Sequence, residues 1–310
     1  MKIKYYNTRL ESEKIFESFD KKILNTILDL TALNIIKDKN LLEQTKNTAE
    51  NFQINKKRII VFGTGGSNLG ARALNNAILK HKIKIEFYDN IDPLLFEYKL
   101  SNIEFENTGF IVISKSGSTP ETLSQLASMS ELAKKNKLEE IFYKNTIIIT
   151  EFKESPLYKI AKQKKCLLLE HKKEIGGRYS IFSNVGVLPS ILSGVDINLL
   201  YRGALEVLEN IEKYSPFDLG KYLCFQKNYS ANVIMTYSDS LYYFGKWYLQ
   251  LWAESIGKNN KGITAIHSVG TTDQHSQLQL YLDGPKDKYF TFVTTDHSNK
   301  GIKINNDMFE

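Results

Sequence analysis

The sequence predicts an α/β protein, a doubly wound parallel sheet followed by a second, incomplete α/β unit. Three observations predict it. Short apolar runs rich in β-branched and aromatic residues recur from about residue 59 onward. Segments with helical spacing of apolar residues lie between them. Glycine, serine and threonine cluster where the runs end, as they do where strands hand over to helices.

Each element has its own signal. Residues 1–54 read as polar-faced helices. The runs Ile59-Ile60-Val61-Phe62, Ile85-Glu86-Phe87-Tyr88, Phe110-Ile111-Val112-Ile113, Ile147-Ile148-Ile149 and Cys166 to Leu169 read as buried strands. Between the third and fourth, 119–135 is a helix with Leu123, Leu126, Ala127 and Ala133 on one face. This first α/β domain spans 55–195. A helical connection covers 196–222, and a second domain covers 223–310. The second domain opens with the strand Asn232 to Tyr237, continues with an aromatic helix over 241–256 and a helix around 273–282, and closes with the strand Tyr289 to Val293. One strand–helix–helix–strand set leaves that domain thin.

Composition narrows the function classes. The chain has 310 residues, 42% hydrophobic and 25% charged, which suits a folded globular protein and not a disordered one. The net charge of +6 comes from scattered lysines. No compact basic block with interleaved aromatics points to nucleic acid. No apolar run approaches the ~20 residues of a spanning helix, and Met1-Lys2-Ile3-Lys4 opens no secretory leader. A cytoplasmic protein is expected. Cys166 and Cys224 lack Cys-x-x-Cys spacing and fit a reducing compartment, with Cys166 expected inside a buried strand.

Two loops are built to hold an anion. Gly63-Thr64-Gly65-Gly66-Ser67-Asn68-Leu69-Gly70 follows one strand and opens a helix. It is neither a dinucleotide fingerprint, which would need glycine at Asn68, nor a P-loop, which would need lysine at Ala71. Ser114-Lys115-Ser116-Gly117-Ser118-Thr119-Pro120-Glu121-Thr122 follows another strand. Ser118 and Glu121 have capping-box spacing, and Pro120 suits a first helical turn. A simple cap would account for Ser118 alone. Hydroxyls converging on a helix N-terminus, with Lys115 as a point charge, suit a dianionic phosphate.

Three groups could do chemistry. Arg178, in Gly176-Gly177-Arg178-Tyr179-Ser180, carries a permanent charge and a planar donor fork for a developing oxyanion. Gln250 and Glu254 share a helix face among Trp247, Tyr248, Leu251 and Trp252. An apolar setting would raise the Glu254 pKa and suit it to act as a base, with Gly257 closing the helix. His275 follows an N-cap-like Asp273 and is a candidate acid. The histidines have no metal-ligand spacing with one another or with cysteine.

Five blocks in this order resemble the glucose-6-phosphate isomerase (phosphoglucose isomerase) family, of the sugar isomerase (SIS) fold. They are Gly65-Gly66-Ser67-x-Leu69-Gly70, Ser114-Lys115-Ser116-Gly117-x-Thr119-x-Glu121-Thr122, Gly176 to Ser180 with Val185-Gly186-Val187-Leu188-Pro189, Gln250-Leu251-Trp252-x-Glu254-Ser255-x-Gly257-Lys258, and Asp273-Gln274-His275-Ser276. The resemblance implies a first SIS domain and a second, incomplete SIS-like one. It implies that glucose 6-phosphate and fructose 6-phosphate interconvert through a cis-enediol. Gly66 and Ser67 would touch the sugar. Ser114, Lys115 (largely through its backbone), Ser116, Thr119 and Thr122 would hold the phosphate. Arg178 would steady the enediolate, and Glu254, with Gln250 beside it, would carry the proton. His275 would open the ring from the neighbouring subunit of a homodimer. No metal and no organic cofactor is implied. The family pattern continues past Val293 with a segment that completes the second sheet and carries a catalytic lysine, and neither Lys300 nor Lys303 is assigned to that role. The alternative reading is a non-catalytic sugar-phosphate-binding protein or isomerase fragment.

Overall fold

The computed structural model describes residues 21–211, 220, 223, 228–298, 300–304 and 307. Its first sheet consists of β1 (Arg58–Phe62), β2 (Lys84–Tyr88), β3 (Thr108–Ile113), β4 (Thr146–Thr150) and β5 (Leu167–Glu170). All are parallel, in the order β2-β1-β3-β4-β5. The chain runs from β1 outward to β2 and then crosses back to β3. The carboxyl ends of β1 and β3 therefore flank the switch in strand order, where open α/β sheets bind ligands.

The N-terminal helices are α1 (Lys21–Leu28), α2 (Thr31–Asn34) and α3 (Lys39–Phe52). Those that connect or cover the first sheet are α4 (Leu69–Asn76), α5 (Pro93–Leu100), α6 (Pro120–Lys135), α7 (Glu139–Lys144), α8 (Pro156–Gln163), α9 (Asn184–Ser193) and α10 (Ile197–Glu209). Strand alternation sorts the core. Ile60, Phe62, Phe110, Val112 and Ile148 pack with Leu126, Met129, Phe142 and Leu157 on one face. Ile59, Val61, Ile111, Ile113, Ile147 and Ile149 pack with Ala49, Val185, Leu188 and Leu192 on the other. Each such side chain contributes ~1.5–3 kcal/mol by burial. Val187 meets Ile35, Ile36, Ile197 and Tyr201 in an outer layer, so α9 is walled in on all sides.

The second sheet has β6 (Ala231–Tyr237), β7 (Thr264–Val269) and β8 (Lys288–Thr294), parallel in the order β7-β6-β8. It repeats the β2-β1-β3 arrangement of the first sheet. Its helices are α11 (Tyr242–Ile256), α12 (Thr272–Ser276) and α13 (Leu278–Asp283).

Several expectations are corrected. The sequence pattern does not announce β7, because His267 and Ser268 interrupt its apolar run and only Ser268 is fully buried. Cys166 precedes β5 and is half-buried, since β5 is an edge strand with Leu167 exposed; Cys224 lies outside the described residues. Ala127 is exposed, and Thr122, Gln125, Leu126, Met129, Ser130 and Ala133 line the buried face of α6. The N-cap of α6 is Thr119, one residue beyond Ser118, and its side chain makes no capping bond. Asp273 lies inside α12 and accepts from Val269 N and Ser276 Oγ. Gly257 caps α11 with φ −74°, outside the left-handed region.

Helix α11 docks on the first sheet's helices. Arg72 of α4 pairs with Asp89 at 2.7 Å and stacks over Tyr243 of α11, and Asn76 donates to the Asp239 carbonyl. The turn after β1 meets the 3-10 segment Gly177–Phe182 backbone to backbone. A Cβ on Gly66 would stand 2.2 Å from the Gly177 carbonyl carbon and 2.6 Å from Arg178 N. Gly66→Ala must therefore displace one backbone from the other. We expect it to lower stability by about 1–3 kcal/mol in chemical unfolding. Gly203→Ala, in the exposed middle of α10 with open space around it, should instead stabilise by roughly 0.5–1 kcal/mol.

Two histidines set an acid sensitivity. Burial pushes the imidazoles of His171 and His267 below the ordinary histidine value, helped at His267 by the charge of Lys246 and at His171 by that of Lys115. The unfolded chain then binds more protons than the folded one. The stability from keeping both rings neutral is complete above about pH 6.5 and drains away as pH falls below it. Asp38, held low by Lys172, and Glu151, held low by Lys153, lose their contributions only as pH falls through the carboxylate range. The melting temperature should fall between pH 7 and pH 5, and His267→Gln should flatten that slope. An equal slope in the variant would contradict the assignment.

Candidate functional site

The loop after β3 folds on its own hydroxyls. Ser114 Oγ lies 2.7 Å from Thr119 Oγ1 and accepts from Gly117 N, while Ser116 Oγ accepts from Ser118 N and Ser118 Oγ. Gly117 sits at φ +68°, where a Cβ would also strike Ser155 Oγ at 2.1 Å. Glycine alone lets this turn close, so that Ser114, Ser116 and Thr119 gather before the N-terminus of the 16-residue helix α6. Thr122 is one turn further in and fully buried. The Lys115 side chain does not face this turn. It leaves sideways, donating from Nζ to the carbonyls of Lys173 and Ile175.

The turn after β1 stands next to it on the neighbouring strand. Asn68 Nδ2 closes it by donating to the Gly63 carbonyl. Gly65, at φ +55°, comes close to Gln250, so that a Cβ there would lie 3.0 Å from Gln250 Nε2. Ser67 is nearly buried beside it, and Ser180 Oγ donates to the Gly66 carbonyl.

Above this turn the two halves of the chain meet. Arg178 Nε donates to Ser255 Oγ at 3.0 Å, and its Nη1 reaches Glu254 Oε2 at 3.4 Å. The guanidinium lies over the Tyr179 ring, and Tyr179 Oη is 2.6 Å from Ser255 Oγ. Trp247 Nε1 donates to the Arg178 carbonyl. Gln250 Nε2 donates to Glu254 Oε1 at 2.8 Å. The Arg178 side chain is 18% exposed and that of Glu254 is 50% exposed. The guanidinium is thus fastened from three sides while the carboxylate opens to solvent. The apolar setting expected around Glu254 is not there; its neighbours are an amide and a guanidinium. This is a donor fork beside a carboxylate, next to a hydroxyl-lined helix tip. Such a set can hold an anion at one end of a small molecule and move a proton at the other.

The structure therefore brings Gly66, Ser67, Arg178, Gln250 and Glu254 together, with Ser114, Ser116 and Thr119 on the adjoining loop. It does not bring His275 to them. That residue is exposed on α12, after the second sheet's β7. Sequence reasoning gave no role to Tyr179, Ser180, Trp247 or Ser255, which fasten Arg178 and the Gly66 turn. All four lie within or beside the quoted blocks, and that proximity was the available signal. Among the described residues no cluster of histidine, cysteine or acidic groups is arranged to hold a metal ion, and no helix is long and apolar enough to cross a membrane.

Comparison with known proteins gives one consistent result. The family model described as phosphoglucose isomerase matches residues 36–308. The probable glucose-6-phosphate isomerase of Methanococcus maripaludis is 38% identical, over 95% of this chain and 68% of that one. The glucose-6-phosphate isomerase of Rubrobacter xylanophilus is 36% identical, over 78% of this chain and 60% of that one. The chain thus spans about two thirds of the length of these curated relatives. Among solved structures, a hypothetical protein from Thermus thermophilus superposes with a TM-score of 0.81 at 29% identity, covering 88% of this chain and 68% of that one. Two parallel sheets of matching strand order, five motif blocks and a family match across most of the sequence lead to one conclusion: the chain belongs to the phosphoglucose isomerase family.

Proposed function

We propose that this chain binds glucose 6-phosphate and fructose 6-phosphate and interconverts them through a cis-enediol. The observation that carries the reading is Glu254, held by Gln250 and Arg178 against the Gly65–Gly66 turn beside the hydroxyl loop of β3.

In this reading Ser114, Ser116, Thr119 and Thr122, with the backbone of Lys115 and the free N–H groups of α6, hold the phosphate. Gly66 and Ser67 border the sugar. Glu254 takes the proton from C2 of the open-chain aldose. The C–H electron pair forms the C1–C2 double bond, and the carbonyl pair moves onto O1. Arg178, already in place through Ser255, meets that growing negative charge without reorganising. Proton exchange between O1 and O2, then return of the proton from Glu254 to C1, yields the ketose. His275 would open the ring from a second subunit, so a cytoplasmic homodimer with shared sites is part of the same proposal. The chemistry asks for no cofactor. A second reading is binding of the sugar phosphate without turnover.

The test is to incubate the purified protein with glucose 6-phosphate in heavy water and follow fructose 6-phosphate and deuterium at C1. Glu254→Gln should lower kcat by ~10²–10⁴-fold and leave KM nearly unchanged. Turnover within a few-fold of wild type in that variant would overturn the assignment. Thermal stabilisation by 6-phosphogluconate with no turnover would favour the second reading.

A further inference from the structure

The Lys115 ammonium is engaged by the protein's own oxygens. Its Nζ donates to the Lys173 carbonyl at 2.8 Å and the Ile175 carbonyl at 2.9 Å, and lies 3.7 Å from Glu151 Oε1. An ammonium has three N–H donors, and three oxygens surround this one. Glu151 Oε2 is itself taken by Lys153 at 2.6 Å. The Lys115 backbone is tied to the same place, its carbonyl accepting from Glu151 N and Thr150 Oγ1. His171, fully buried, donates its backbone N–H to the Thr150 carbonyl. The stretch 171–175 is thereby clamped between the end of β4 and the Lys115 ammonium.

That stretch leads directly into Gly176-Gly177-Arg178. Gly177 presses on Gly66, and Arg178 turns its guanidinium toward Ser255 and Glu254. One lysine thus spans from the loop proposed to hold phosphate to the segment that carries Arg178. Two carbonyls without regular secondary-structure partners depend on it, and Ile175 is itself fully buried.

We infer that Lys115 is a positioning residue: its ammonium sets the 173–178 segment, and hence Arg178, against the β3 loop, and it contributes no charge-to-charge contact to the phosphate. This rests on the proposed reading of Arg178 as the group that meets the enediolate.

The experiment is an equilibrium titration with two probes. Inorganic phosphate reads the hydroxyl loop alone. 6-Phosphogluconate carries the same phosphate plus a carboxylate at C1, where Arg178 should act. Lys115→Met removes the ammonium and keeps the apolar stem, and Lys115→Arg restores donors. In Lys115→Met, phosphate affinity should stay within about threefold of wild type while 6-phosphogluconate affinity drops roughly tenfold or more, as expected for loss of charge-assisted hydrogen bonds. Lys115→Arg should recover most of the loss. Equal weakening of both probes would make Lys115 a phosphate ligand and overturn the inference, as would no change in either. If Lys115→Met does not fold, Lys115→Gln compared with Lys115→Arg gives the same contrast. Wild-type protein that binds neither probe would overturn the site reading itself, whereas binding of both with equal weakening removes only the positioning role.

Discussion

The seating of α11 across the carboxyl edge of the first sheet is the constraint on which the site depends. A guanidinium is costly to remove from water unless its donors are met. Arg178 is largely buried, and its fork is met by Ser255 and Glu254, both from α11. The bonds from Trp247 to the Arg178 carbonyl and from Tyr179 to Ser255 fix the same helix against the same loop. Shifting α11 by one turn would strip Arg178 of its partners and carry Gln250 and Glu254 off the Gly65–Gly66 turn together. Packing and chemistry are set by one contact.

The glycines around this contact follow from it. Gly66 and Gly177 let two backbones touch, and Gly117 allows the hydroxyl loop to close against Ser155. The strand order puts these loops side by side, because β1 and β3 are hydrogen-bonded neighbours while β2 lies on the far side of β1. Rigid strands, fully buried in β3, then hold the loops in fixed relation. A site of this kind needs little movement to meet a developing charge, which is where preorganised donors have most effect.

Much of this was legible in the sequence, and the reasons differ by residue. The strands of the first sheet stood out because burial on both faces forces continuous Ile, Val and Phe runs. β7 did not, since an edge position tolerates His267 and Ser268 in its pattern. The motif blocks brought Arg178, Gln250 and Glu254 into view, yet the polar, half-open setting of Glu254 depends on Arg178, which lies 76 residues away in sequence. The direction of the Lys115 side chain could not be read either. A lysine in a serine loop suggests a point charge for an anion, and only the carbonyls of Lys173 and Ile175 reveal where the ammonium goes. Ser118 matched a capping-box spacing, but the backbone puts the N-cap at Thr119, whose side chain makes no capping bond.

A crystal structure of the complex with 6-phosphogluconate bears most directly on the central claim. The account predicts its phosphate among the hydroxyls of Ser114, Ser116 and Thr119 and its carboxylate beside Arg178 and Glu254, with α11 unmoved and the Lys115 ammonium still on the 173 and 175 carbonyls. A phosphate bound to the Lys115 Nζ, or a ligand seated away from the Gly65–Gly66 turn, would contradict it.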